Sequence, residues 1–254
     1  MAEILLKSKK AGGIVETLLT VLYAVVIAIF VRTVAYEPFN IPSGSMVPTL
    51  LIGDYLFVSK FSYGYSRYSL PLGLPLIAGR IFFTPPQRGD VAVFKWPKDN
   101  STDYIKRVIG LPGDRIQMKE GRLYINSTMV KRERIEDYVD PDLPPEVNRP
   151  VLQYIETLPN GRRHRILESR GDNGDLDNTK EFLVPPDHYF MMGDNRDNSS
   201  DSRDPRGDVG YVPVENLVGR AEFLFFSTDG SAHLWEPWKW LFAVRYDRPF
   251  EGIR

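Results

Sequence analysis

Ser43 and Ser45 sit in Ile41-Pro42-Ser43-Gly44-Ser45-Met46-Val47-Pro48-Thr49-Leu50, a proline-flanked stretch with no helical period that reads as a turn presenting a hydroxyl. A serine hydroxyl needs a base before it can attack a carbonyl. Three histidines are available, and none has a telling context. His164 lies in Arg162-Arg163-His164-Arg165, His188 follows Pro185-Pro186-Asp187, and His233 stands near the C-terminus. The Gly-x-Ser-x-Gly elbow of hydrolases is absent, since Ser45 is framed by Gly44 and Met46-Val47. A Ser-His-Asp triad is therefore a competing arrangement without local support.

Lysine is the other base that serine can use. Tyr104-Ile105-Lys106-Arg107-Val108-Ile109-Gly110 is a strand-like run. Its period of two puts Tyr104, Lys106 and Val108 on one face and Ile105, Arg107 and Ile109 on the other. An unperturbed lysine, with a pKa of about 10.4, is only about 0.04% neutral at pH 7. Burial between apolar neighbours can lower that pKa by roughly 3–5 units and release the lone pair. A strand lysine is otherwise ordinarily solvated or snorkelling. A third stretch, Gly193-Asp194-Asn195-Arg196-Asp197-Asn198-Ser199-Ser200-Asp201-Ser202-Arg203, is dense in hydrogen-bonding groups and could orient such a base. It does not meet the spacing of a calcium loop, though calcium binding is its competing reading.

These groups must be positioned by the surrounding elements, of which the first is an apolar helix. Leu18 to Val31 is almost unbroken in apolar residues, and Ile14 to Ala35 would span roughly 33 Å as a helix, enough for a hydrocarbon core near 30 Å. Lys7, Lys9 and Lys10 precede it, which predicts a cytoplasmic N-terminus and a far-side location for everything after Tyr36. A buried core helix and a cleavable signal peptide ending at Thr33-Val34-Ala35 compete with the anchor; Arg32, three residues before that point, argues against processing. The anchor places Ser45 at a membrane surface, where it meets only substrates that are themselves near the bilayer.

Past residue 50 the pattern turns to short β-type runs: Tyr55–Val58, Asp90–Phe94, Tyr104–Ile109, Arg115–Met118, Leu123–Ile125, Tyr189–Met192 and Val218–Phe226. Glycine-, proline- and aspartate-bearing turns separate them, so the class is mainly β, an antiparallel sheet. Val151–Leu158 and Arg162–Glu168 flank Asn160-Gly161, a hairpin signal that asks for positive φ at both turn positions. The predicted division is 1–13 as a cytoplasmic N-terminus and 14–36 as one transmembrane helix. A catalytic β domain follows over 37–126 and 186–254, interrupted by a smaller β-rich insertion over 127–185. Gly64 to Pro86 reads as a long loop, and Trp235, Trp238, Trp240 and Phe242 suit either a membrane interface or a core.

With 254 residues, 43% of them apolar, the chain can hold an anchor and a soluble portion of about 215 residues. Its net charge of −1 and lack of a basic stripe give no nucleic-acid footprint. Zero cysteines exclude disulfides, thiol nucleophiles and cysteine metal sites.

Taken together, the motifs resemble the bacterial type I signal peptidase (leader peptidase) family. Pro42-Ser43-Gly44-Ser45-Met46-x-Pro48-Thr49-Leu50 is similar to its nucleophile box and Gly89-Asp90-Val91-x-Val93-Phe94 to its next strand. Tyr104-Ile105-Lys106-Arg107-x-x-Gly110-x-Pro112-Gly113-Asp114 is similar to its lysine box, and the Gly193 to Arg203 stretch to its last. The resemblance implies a serine endopeptidase with a Ser-Lys dyad in which Ser45 attacks and Lys106 is the base. It further implies an oxyanion hole from the Ser45 N–H and the Ser43 hydroxyl. Ser199 would hydrogen-bond the lysine amine, and Asp201 with Arg203 would tie down the loop. Phe39, Ile41, Met46, Leu50 and Ile105 would line shallow pockets for small side chains, implying cleavage after Ala-x-Ala sites.

The implied partners are preproteins bearing signal peptides, together with membrane lipid, with no cofactor and no metal. The implied place is the bacterial cytoplasmic (inner) membrane, crossed once, with the catalytic domain on the periplasmic side. Several members carry two N-terminal crossings where this chain shows one. Two other readings compete: a self-cleaving repressor of the LexA type, which needs a DNA-binding domain where this chain has its anchor, and a membrane-tethered calcium or binding module.

Overall fold

The computed structural model describes residues 2–70, 73–144, 146–204, 209–232 and 236–253; His233 and Trp235 lie outside them. A single helix runs from Ala2 to Val34, about 50 Å at 1.5 Å per residue. It is longer than the apolar run and includes the basic segment before it. None of the Val15–Val34 window is buried. Val15, Leu18, Leu22, Ile27 and Phe30 are all exposed, which rules out a core helix: this apolar surface has no cover from the other described residues.

The remainder is antiparallel β. Seven strands form the main sheet in the order Tyr36–Asn40, Asp54–Ser59, Leu217–Ser227, Val91–Lys95, Asp103–Gly110, His188–Met192 and Val212–Pro213. Shifts of register in the pairings of Leu217–Ser227 and His188–Met192 mark irregularities that bend the sheet. Both faces of the sheet centre are covered. Val91 and Val93 face a core with Ile41, Met46, Leu50, Leu56 and Val218, whereas Ala92 and Phe94 face one with Val108, Tyr189, Met191 and Leu217. That is why Val91-Ala92-Val93-Phe94 is continuously apolar rather than alternating.

Each predicted strand is present, with ends moved by at most one residue. Among the additional ones, Tyr36–Asn40 carries Pro38, which argues against an interior strand. It is tolerated because this strand is the sheet edge, paired only with Asp54–Ser59. The Asn160-Gly161 turn also differs from expectation, since only Gly161 has a positive φ (82°). Pro159 holds φ negative just before it, and Leu158 N donates to Arg162 O at 2.8 Å across the turn. A turn followed by a left-handed glycine replaces the doubly positive one.

Leu152–Thr157 and Arg163–Glu168 pair in a three-stranded sheet with Lys131–Arg134. A four-stranded sheet orders Phe182–Leu183, Arg115–Lys119, Arg122–Ile125 and Thr128–Met129, taking strands from both sides of residue 126. Its Ile116, Met118, Leu123 and Ile125 pack against Ile109, Phe190 and Met192 of the main sheet. The stretch from Gly64 to Pro86 carries a short strand pair, Tyr65–Ser66 with Arg80–Ile81. Trp238 and Phe242, 67% and 84% exposed, are not core residues.

Candidate active site

The serine turn is the short link between the edge strand and its neighbour. Met46 and Leu50 are fully buried and anchor it, while Leu50 N donates to Met46 O and Val47 N to Gly44 O. One 3₁₀ turn, Gly44–Met46, results, with Ser45 in its middle. Lys106 lies on the strand Asp103–Gly110 opposite Ala92, with sheet neighbours on both sides. Its amine is 2.6 Å from Ser45 Oγ, and the residue is 4% exposed. Burial pulls the Lys106 amine down to about 8, although the carboxylates of Asp201 and Asp194 push it back up. The Tyr104 ring, on the same strand face, has its centroid 5.6 Å from Nζ.

Ser45 and Lys106 open on a cavity of about 620 Å³ whose wall includes Ser43, Phe39, Ile41, Ile105 and Asn195. Ser43 is exposed to it. Met46 and Leu50, expected in the pocket wall, instead lie beneath it: both are 0% exposed and pack in the core against which Phe39 and Ile105 rest. A second cavity, reaching Ile29, Arg32 and Thr33 at the end of the helix, shares Phe39 and Asp103 with the first.

The loop from Gly193 to Arg203 closes the back of the site. Asp201 accepts from Arg203 Nε at 3.0 Å and Nη2 at 2.9 Å, and from Gly193 N at 3.0 Å. Burial pushes the Asp201 carboxyl up, and the Arg203 guanidinium more than reverses this and holds it below its usual value. Ser199 Oγ is buried without a hydrogen-bond partner. The bond expected from it to the lysine is not made here, the amine being engaged with Ser45. It packs against Gly193, where an added Cβ would lie 2.2 Å from Ser199 Oγ and 2.5 Å from Ser45 O.

The described histidines are elsewhere. His164 is buried with Nε2 3.4 Å from Glu156 Oε2, His188 Nδ1 contacts Pro186 O at 2.7 Å, and neither lines the cavity. The loop's carboxylates are also largely occupied. Asp194 pairs with Arg107 through Nε at 2.8 Å and Nη2 at 2.7 Å. Among the described residues, Glu168, Asp177 and Asp197 bring ligand oxygens within 4.8 Å of one another. Burial pushes Glu168 up to about 8, favouring its neutral acid.

Two features escaped the sequence. Arg107 is 1% exposed, and its partner Asp194 also accepts from Thr49 Oγ1 at 2.5 Å, so one buried ion pair joins the serine turn, the lysine strand and the loop. The signal was a charge on the second face of a strand whose two faces both carry apolar residues. Asn195 is the other, bonded to the serine turn by its backbone and its side chain. Nothing in its type distinguishes it from the neighbouring amides of the loop.

The family pattern of signal peptidase, peptidase S26, matches residues 14–226. Signal peptidase I of Rickettsia canadensis (strain McKiel) is 42% identical over 247 residues, covering 91% of this chain and 90% of that protein. Signal peptidase I of Rickettsia typhi (strain ATCC VR-144 / Wilmington) is 41% identical with the same coverage. A signal peptidase I crystal structure from Enterococcus faecalis V583 is similar over 54% of this chain and 97% of that one, at 23% identity and a TM-score of 0.31. The chain belongs to the signal peptidase family, peptidase S26, and is a serine endopeptidase.

Proposed function

We propose that this protein removes signal peptides from exported preproteins, with Ser45 as nucleophile and Lys106 as general base. The carrying observation is the 2.6 Å contact between Ser45 Oγ and a lysine amine that is almost wholly buried. With its pKa near 8, roughly a tenth of that amine is neutral at pH 7, against well under 0.1% for an ordinary lysine. The neutral amine accepts the hydroxyl proton as Oγ attacks the scissile carbonyl. Charge then develops on the carbonyl oxygen, where the Ser45 N–H and the Ser43 hydroxyl are placed to hold it. The ammonium returns its proton to the departing amine of the mature chain, leaving an acyl group on Ser45. Water, deprotonated by the same lysine, releases it.

Phe39, Ile41 and Ile105 make the cavity wall apolar beside these groups, which suits small side chains of the Ala-x-Ala type and keeps water from the amine. Asp201 and Arg203 hold the loop behind it, and Ser199, whose hydroxyl packs at Gly193 next to the Ser45 carbonyl, orients the ammonium once Ser45 has been acylated. The Val15–Val34 segment crosses the cytoplasmic membrane of a bacterium once, N-terminus inside, and puts the β domain on the outer face. A substrate whose own apolar segment lies in the same bilayer then delivers its cleavage site to a cavity that shares Phe39 and Asp103 with a second one at the helix end. The residues over 127–185 form an insertion whose Leu167, Tyr138 and Val151 pack against Val47 and Leu51 just beyond the nucleophile. The partners are preproteins and lipid, and neither nucleic acid nor metal has a part in the reaction.

Incubating the purified protein with a preprotein tests this: the wild type should yield the mature chain, and Ser45→Ala should not. Equal processing by both would overturn the reading.

A further inference from the structure

Asn195 makes three contacts around the nucleophile. Its backbone N donates to Ser45 O at 3.1 Å, its side-chain Nδ2 donates to Gly44 O at 3.0 Å, and its Oδ1 accepts from Asn198 Nδ2 at 3.1 Å. The last bond fixes which end of the amide faces the serine turn. The two carbonyls it holds belong to the peptide planes on either side of the Ser45 Cα. In a trans peptide the C=O and N–H are coplanar and point in opposite directions. Gripping Gly44 O therefore sets the direction of the Ser45 N–H, which shares that plane. Gripping Ser45 O fixes the plane that follows. Accepting a hydrogen bond at Gly44 O also polarises the same peptide and makes its N–H a better donor.

Besides Asn195, the turn is held by the 3.2 Å bond from Val47 N to Gly44 O and by the buried Met46 and Leu50 that follow Ser45. Gly44–Met46 is a single 3₁₀ turn with no side-chain cap, and Gly44 has open room, its nearest neighbours to an added Cβ lying at 3.6 Å and 3.9 Å. Three-residue turns of this kind are weakly self-supporting.

We propose that Asn195 is a positioning residue that aims the Ser45 N–H at the oxyanion. This rests on Ser45 being the nucleophile and its N–H an oxyanion donor. Asn195 borders the cavity, but its amide is directed at Gly44 O and Asn198 while the Lys106 amine is bonded to Ser45, so its contribution is assigned to the tetrahedral state. Removing one oxyanion donor outright typically costs about 10²–10³ in turnover, and a donor left in place but poorly aimed should cost about 10–100-fold.

The experiment measures kcat and KM for preprotein cleavage by the full chain in detergent for wild type, Asn195→Asp and Asn195→Ala. A peptide boronate that forms a tetrahedral adduct on Ser45 is titrated against each. Asn195→Asp keeps shape, backbone and the acceptor for Asn198, but turns an oxygen toward Gly44 O. Both variants should lose kcat about 10–100-fold with KM within about threefold, and boronate affinity should fall in parallel with kcat/KM. The pH midpoint of kcat/KM should stay at the wild-type value in Asn195→Ala, whereas the added carboxylate of Asn195→Asp, like those of Asp201 and Asp194, raises it. Folded variants with kcat within about threefold of wild type would overturn the proposal, as would a loss confined to KM or a moved pH midpoint in Asn195→Ala. Failure of both variants to fold would assign Asn195 to folding and overturn it too. An inactive wild type, or an active Ser45→Ala, would instead sink the underlying reading of the site.

Discussion

A lysine in water cannot do at neutral pH what is asked of Lys106, so the side chain's surroundings carry the argument. Burial lowers its pKa from 10.5 to about 8. Because the folded value is the lower, the unfolded chain holds more protons between about pH 8 and 10.5, and stability rises with pH across that window. Below it the buried charge costs about 3 kcal/mol. Cleavage should therefore increase with pH along an ascending limb with its midpoint near 8, measured as kcat/KM. A midpoint near 6.5 would point to an imidazole base instead. Lys106→Met should unfold at higher urea than wild type at pH 7, and that gain should vanish above about pH 10.5.

Among the elements, the serine turn and the Gly193 loop meet with no space between them. Gly193→Ala would drive a methyl into Ser199 and into the Ser45 carbonyl, of which the latter is backbone and cannot swing away. The expected cost is about 1–3 kcal/mol in urea unfolding, together with a fall in turnover of more than about 10-fold from displacement of Ser45. Unchanged turnover would mean that the loop can move off without consequence. Much of this was legible in the chain: the period of two put Lys106 beside Tyr104, and turn residues bounded most strands. Tyr36–Asn40 was not, because Pro38 masks a strand that is permitted only at an edge. The Arg107–Asp194 pair was not, because the two residues are 87 positions apart and only the folded sheet brings them together. The pocket roles of Met46 and Leu50 were misjudged for a related reason: an apolar residue next to a nucleophile serves a core as readily as a cavity.

At the scale of the whole molecule, a long helix with bare apolar sides leads directly into the edge strand that begins the catalytic sheet. Ala35 N still donates to Val31 O as the helix ends, Tyr36 opens the strand, and Ser45 follows nine residues later. No loop separates the helix from the strand that leads to the site. In cells whose outer barrier has been opened, protease added from outside should digest the β domain and spare the segment before Ile14; protection of the β domain would reverse the topology. The central claim, a water-excluded amine serving the Ser45 hydroxyl, is tested most directly by the single-turnover rate of preprotein cleavage at pH 8 for Lys106→Met against wild type. Loss of at least about 10⁴-fold in a protein that still unfolds cooperatively is the predicted result, since nucleophile and base act as one unit. Cleavage at a wild-type-like rate would contradict the account.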